Sequence, residues 1–155
     1  ILSTLDDTKR KTMNTKKLTL LTLFCGLLLA SFSFKSAEDQ SDALKKSMEA
    51  GKNTYNQVCM ACHMDKGQGI PNVFPPLAKS DYLMKDVTRN IKNLIEGLQG
   101  EITVNGKKYN QVMPASGLDD TDIANVLNYV MNSFGNKAEK MVTKEQVAKV
   151  RASLK

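Results

Sequence analysis

Tryptophan is absent from these 155 residues, histidine occurs once, and aromatic residues make up only 6 %. So few aromatics leave a core thin unless another apolar body helps to fill it. A single imidazole excludes a histidine-rich metal site and every mechanism that needs two. Three cysteines, two of them only three positions apart, are too few and too clustered for a disulfide scaffold. The rest is ordinary for one globular domain: 41 % hydrophobic, 25 % charged and nine glycines, with no repeat or low-complexity segment.

The formal charge of +6 is concentrated at one end. Residues 1–36 carry Lys9, Arg10, Lys11, Lys16, Lys17 and Lys35 against Asp6 and Asp7, which leaves only +2 of the total +6 for the remainder. That balance carries no nucleic-acid signal. Because the chain opens at Ile1 rather than Met, residues 1–12 read as an upstream extension. From Met13 the pattern is that of an export signal. Lys16 and Lys17 are followed by the uncharged run Leu18–Phe34, with small residues at Ser31, Ser33, Ser36 and Ala37. The expected leader is 13–36, with cleavage between Ser33 and Ala37. A run this long is also near the lower limit for a spanning helix, so an uncleaved anchor is the competing reading. Cys25 lacks the small residues before it that lipid attachment needs, and reads as a hydrophobe within the run.

Beyond this segment one mainly helical domain is expected over 37–155. Leu44, Met48, Tyr55 and Val58 space an amphipathic helix that begins near Ser41 and runs into Cys59. Gly51 within it costs about 1 kcal/mol against Ala and suggests a close helix crossing. Residues 65–80 hold Gly67, Gly69, Pro71, Pro75 and Pro76 and read as loop. Val87, Ile91, Leu94, Ile95 and Leu98 mark a second helix stopped by Gly100. Ile102–Tyr109 carries Asn105-Gly106 between strand-prone residues, a hairpin signal. Asp119 and Asp122 open a third helix that buries Ile123, Val126, Leu127, Val130, Met131 and Phe134, with Gly135 past its end. Thr143 caps a short final helix carrying Val147 and Val150.

The chemistry lies in Cys59-Met60-Ala61-Cys62-His63. In an exported chain, C-x-x-C-H is the attachment signature of c-type haem. Two thiols bond one edge of the porphyrin, and the adjacent imidazole is carried beneath the iron. A thioredoxin-like disulfide would need a βαβ setting that this sequence lacks. A zinc site would need a fourth ligand, which is missing once Cys25 is removed. A haem also answers the shortage of aromatics.

With His63 used, the second axial ligand falls to a methionine, whose soft thioether favours ferrous iron. Met60 and Met64 are tied to the His63 side. Met48 and Met131 lie on helix faces, and Met141 in the tail. Met113, in a loop stiffened by Pro114, is the leading candidate; Met84 stays open as an alternative.

These residues resemble class I cytochrome c domains, in particular the single-haem domains of the bacterial periplasm. The resemblance runs over about 41–151. It rests on Gly51-x-x-x-Tyr55, Cys59–His63, Gly67–Pro71, Phe74–Ala78, Val112-Met113-Pro114 and Ile123–Val130. It implies an all-α fold of three main helices around one covalently bound haem, with the hairpin as an addition before the distal methionine loop. It further implies that Gly51 and Tyr55 meet Val126 and Tyr129, and that the Pro75 carbonyl accepts a hydrogen bond from His63 Nδ1. The expected cofactor-binding residues are Cys59, Cys62, His63 and Met113, the last two on iron.

The function so implied is single-electron transfer in the periplasm, with no catalytic residue. Copper nitrite reductases, quinoprotein dehydrogenases and terminal oxidases are the candidate partners. The alternatives are a haem-bearing subunit of a membrane-bound or periplasmic oxidoreductase, and a catalytic haem protein with an open distal site. For the last no spare histidine exists, and Asp119, Asp120 and Asp122 read as helix-start residues. Lys66, Lys79, Lys85, Lys107 and Lys108 are either a ring that steers an acidic partner or ordinary solvated lysines.

Overall fold

A computed structural model describes residues 35–155, with side chains from residue 40 onward. The chain divides into two units, 1–40 and 41–155, and the second holds the core and the site. The expected extension 1–12, Cys25 and residues 13–34 of the expected leader lie outside the described residues.

The first helix, α1, spans Lys35–Thr54, starting earlier than the expected Ser41. No glycine or proline interrupts 35–40, and Glu38 and Asp39 suit the first turns of a helix. α1 does not run uniformly into Cys59. It widens into a π-helical turn, Tyr55–Cys59, followed by the short α2, Met60–His63. The wider turn breaks the 3.6-residue phase. Tyr55 is therefore fully buried, whereas Val58, expected on the same apolar face, is 43 % exposed.

A short helix that periodicity did not suggest, α3 (Asp81–Lys85), opens at Ser80, whose hydroxyl accepts from Leu83 N at 3.1 Å. α4 (Val87–Glu96) is capped by Asp86, which accepts from Arg89 N at 3.0 Å. It ends at Gly97, with φ +83°, and not at Gly100. The hairpin forms as expected: β1 (Ile102–Val104) pairs antiparallel with β2 (Lys107–Tyr109), Val104 opposite Lys107. Asn105 and Gly106 take φ of +51° and +76°, the two left-handed positions such a turn requires.

α5 (Asp120–Met131) starts where Asp119 accepts from Asp122 N at 2.8 Å. It stops before Phe134, which was expected on its buried face. Phe134 instead turns at φ +57° and joins Tyr55 and Tyr129, with ring centroids 5.3–5.5 Å apart. α6 (Lys144–Ala152) is capped by Thr143, which accepts from Gln146 N at 3.3 Å. Arg151 ties α6 back to the start of α5 through Asp120 at 2.7 Å and the Leu118 carbonyl at 3.0 Å.

The crossing of α1 and α5 fixes the frame. A Cβ at Gly51 would fall 2.0 Å from the Asn125 carbonyl oxygen, so only glycine permits the approach. Beside it Ser47 donates to Asn125 Oδ1 at 2.7 Å and accepts from Asn128 Nδ2 at 2.9 Å. The Asn128 side chain then pairs with both the N–H and the carbonyl of Val142, each at 2.8 Å. The polar groups in this crossing are thus partnered. Against it lies the core of Ile91, Leu94, Ile123, Val126, Leu127, Val130 and Val147.

Candidate haem site

His63 ends α2, and Met64 leaves it at φ +64°, starting the irregular segment 64–80. That segment is pinned by its own backbone: Gly69 N donates to His63 O at 3.0 Å, and Leu77 and Ala78 N–H both donate to Gly67 O at 2.7 and 2.8 Å. Tyr55 adds a hydroxyl donated to Met64 O at 2.6 Å. The fold thereby sets the Pro75 carbonyl 3.0 Å from His63 Nδ1. A carbonyl only accepts, so Nδ1 carries the proton and Nε2 presents a lone pair. Burial holds the His63 pKa below its ordinary value, although the Pro75 bond opposes the shift, which favours the neutral ring. A neutral, oriented imidazole is the form that ligates a metal.

No disulfide joins Cys59 to Cys62. Burial first, and then Cys62, pushes the Cys59 thiol up to about 11. Among the described residues no three His, Cys, Asp or Glu side chains gather into a metal-holding group.

Cys59, His63 and Met113 border one cavity of about 680 Å³ including its mouth. Its walls are Pro75, Pro76 and Leu77 from the irregular segment, Leu83 from α3, Leu94 from α4 and Leu98 beyond it, Ile102 and Val104 from β1, and Val126, Leu127 and Val130 from α5. Cys62, three residues after Cys59 and half-buried, does not contribute to this lining, and neither does Met84, which packs on the core. Met113 is held there by its main chain. Leu98 N donates to Met113 O at 2.8 Å and Met113 N to Leu98 O at 2.9 Å, a two-residue bridge.

The residues fit a haem. The cavity is bordered mostly by leucines, valines and prolines, the lining an apolar prosthetic group needs. The donor set is that of a c-type haem: two thiols, an imidazole and a thioether. Arg89 supplies a further match. It stacks on Tyr82, a cavity residue, at 3.6 Å and donates to the Tyr82 carbonyl. Its Nε is buried without a partner, a cation in want of an anion such as a haem carboxylate. Neither Tyr82 nor Arg89 was identified from sequence. The Ser80 cap ahead of Leu83 was a legible sign of α3, but nothing in the spacing marks the stack.

Of the five lysines considered for a docking ring, all are exposed, and Lys108 is paired with Glu101 at 2.8 Å.

A helical shell that opens a C-x-x-C-H motif onto an apolar cavity defines a haem-bearing electron-transfer domain. Residues 48–134, more than half the chain, match the family model described as cytochrome c. The chain is similar to cytochrome c-552 of Thermus thermophilus, at 44 % identity over 111 residues that take in 66 % of this chain and 84 % of that protein. It is also similar to the cytochrome c subunit of alcohol dehydrogenase (quinone) from Gluconacetobacter polyoxogenes, at 32 % identity, covering 65 % of this chain but 22 % of that subunit. Cytochrome c6 of Gracilaria tenuistipitata var. liui is 36 % identical, covering 57 % of this chain and 75 % of that protein. The chain belongs to the cytochrome c family. It is an electron carrier with covalently attached haem c, not an enzyme in its own right, and the helical fold with its added hairpin is the one expected.

Proposed function

We propose that Cys59 and Cys62 would bond the haem, that His63 Nε2 and the Met113 sulfur would hold its iron, and that the protein carries electrons in the periplasm. When bound, haem supplies a one-electron ferric–ferrous couple. The residues of this chain do the rest. His63, its ring fixed by Pro75, offers a basic nitrogen of set orientation. Met113 offers a soft sulfur that favours the ferrous state. The leucine and valine walls exclude water and lower the local dielectric. Arg89 balances negative charge at the Tyr82 side. A ligand pair that does not change on electron transfer keeps reorganisation small.

One observation carries this reading: His63 and Met113, distant in sequence, border the same apolar cavity, and Met84 does not. The test is the reduction potential and ligand affinity of the holoprotein. Met113→Ala lowers the potential and lets cyanide bind ferric iron rapidly, while Met84→Ala changes neither. The reverse pattern assigns the ligand to Met84, and a wild type that already binds cyanide and carbon monoxide freely favours the open-site alternative.

The leader pattern over 13–36 supports export, cleaved or retained as an anchor. Among the described residues no helix is long and apolar enough to cross a membrane. N-terminal sequencing of the native protein decides: a start between Phe34 and Glu38 supports cleavage, and Met13 retained in a membrane fraction supports the anchor. For the partner, the similarity to a subunit of a quinone-type alcohol dehydrogenase favours a dehydrogenase over a copper nitrite reductase or terminal oxidase. Pull-down from native periplasm or membranes tests this, and recovery of an oxidase or nitrite reductase instead overturns it.

A further inference from the structure

Resting on the assignment of Met113 as iron ligand, we infer that Gly97 is the positioning residue for the methionine loop, and that the C-terminus of α4 acts as its clamp. Helix ends leave carbonyls without donors, and here those groups are turned toward the loop. Leu98 N, the next donor along the helix for Leu94 O, is committed to Met113 O at 2.8 Å. Leu94 O is taken up instead by Ser116, whose N–H and Oγ donate to it at 2.9 and 2.7 Å. Three residues after Met113, the loop is thus tied to the last turn of α4.

Gly97 sits between these ties and is the point of closest approach. A Cβ there would lie 2.7 Å from Met113 O, 2.9 Å from Ala115 N and 3.1 Å from Pro114 C. All three are main-chain atoms, so no flexible side chain can give way. The residue must lack a side chain for Met113 to lie where it does. Gly100 provides the matched comparison: its φ of +93° is also left-handed, but a Cβ there meets nothing within 4 Å.

The experiment uses purified ferric holoproteins of wild type, Gly97→Ala, Gly100→Ala, Ser116→Ala, Ser116→Thr, Ser116→Pro and Met113→Ala. The readouts are the weak sulfur-to-iron charge-transfer band and the rate of cyanide binding. Gly97→Ala weakens or loses the band and binds cyanide about tenfold faster or more, the scale of main-chain overpacking. Gly100→Ala leaves both at wild-type values. Equal effects at Gly97 and Gly100 would show that left-handed backbone strain, not the contact with the loop, is responsible, and would overturn the inference. So would a Gly97→Ala protein with an intact band and slow cyanide binding. If Gly97→Ala yields no folded holoprotein, Ser116 decides: a weaker band in Ser116→Ala restored in Ser116→Thr supports the clamp, and a band undiminished in both Ser116→Ala and Ser116→Pro, which removes the N–H donor as well, overturns it. Met113→Ala separates the two levels. If it keeps the band, the ligand assignment itself fails and the clamp with it; if it loses the band while Gly97→Ala keeps it, only the clamp fails.

Discussion

The two sides of the cavity are held by different kinds of bond. On the His63 side, the proposed haem residues lie within five positions of the chain, and a side-chain bond to Pro75 O at 3.0 Å sets the ring. On the Met113 side, the backbone bridge to Leu98 and the ties of Ser116 to Leu94 do the holding. The first arrangement tolerates no change of residue type. The second depends in addition on how closely two stretches of main chain approach at Gly97. Chemistry written in neighbouring residues is read from sequence directly, whereas chemistry placed by tertiary backbone pairing waits for the fold.

The largest effect is expected from breaking the His63 side at its covalent root. With Cys59 and Cys62 both replaced by alanine, acid–acetone should extract any haem present, and circular dichroism should show the chain largely unfolded. The cavity walls are also the core, and the haem completes them. A folded, stable double variant would mean that the porphyrin is not part of the core.

Next in size is the crossing that supports the same side. Gly51→Ala places a methyl group 2.0 Å from the Asn125 carbonyl, and should cost about 3 kcal/mol in denaturant unfolding, the upper part of the overpacking range. A loss under about 0.5 kcal/mol, the size of an ordinary surface substitution, would show that α1 and α5 can separate without penalty.

These expectations also mark what the sequence could reveal. The C-x-x-C-H motif, the Asn105-Gly106 turn and the caps at Asp119 and Thr143 are local patterns, each set by residues within a few positions. The crossing at Gly51 was suggested by a glycine within a helix and by the family resemblance, and the structure has it, with Asn125 and Tyr129 as the nearest neighbours. What escaped were features set by distant partners. Leu98 continues the apolar period of α4, so Gly100 looked like the stop; its bridge to Met113 instead ends the helix at Gly97. Phe134 fits the face of α5 by spacing, yet packing on Tyr55 draws it out of the helix. Val58 fits the face of α1 until the π-helical turn shifts the phase. Met113 was reached by ligand chemistry and elimination, but its means of support was invisible.

A smaller effect sharpens the contrast through pH. Burial, more than the neighbouring Cys59, raises the Tyr55 pKa above its ordinary 10.0. A raised folded-state pKa contributes stability that is complete below pH 10 and lost as pH rises beyond it. Tyr55→Phe should cost about 1 kcal/mol at pH 7 by removing one of the two donors to the Met64 carbonyl, the other being Gly67 N–H at 3.1 Å, and should flatten the loss of stability above pH 10. Parallel stability curves for variant and wild type would show that Tyr55 does not carry the alkaline dependence.

Smallest is the surface. Neutralising Lys66, Lys79, Lys85 and Lys107 to glutamine should slow electron transfer with an acidic partner about several-fold at low salt, and should reduce its dependence on ionic strength. A wild-type rate indifferent to salt would make these ordinary solvated lysines.

The central claim is that His63 and Met113 hold the iron from the two sides of one cavity. Proton NMR of the ferrous holoprotein tests it most directly, because the ε-methyl group of a ligating methionine lies against the porphyrin face and is shifted far upfield by its ring current. The account predicts one such three-proton signal in the wild type, unchanged in Met84→Ala and absent in Met113→Ala. A signal that survives Met113→Ala, or no upfield methyl signal in the wild type, would contradict it.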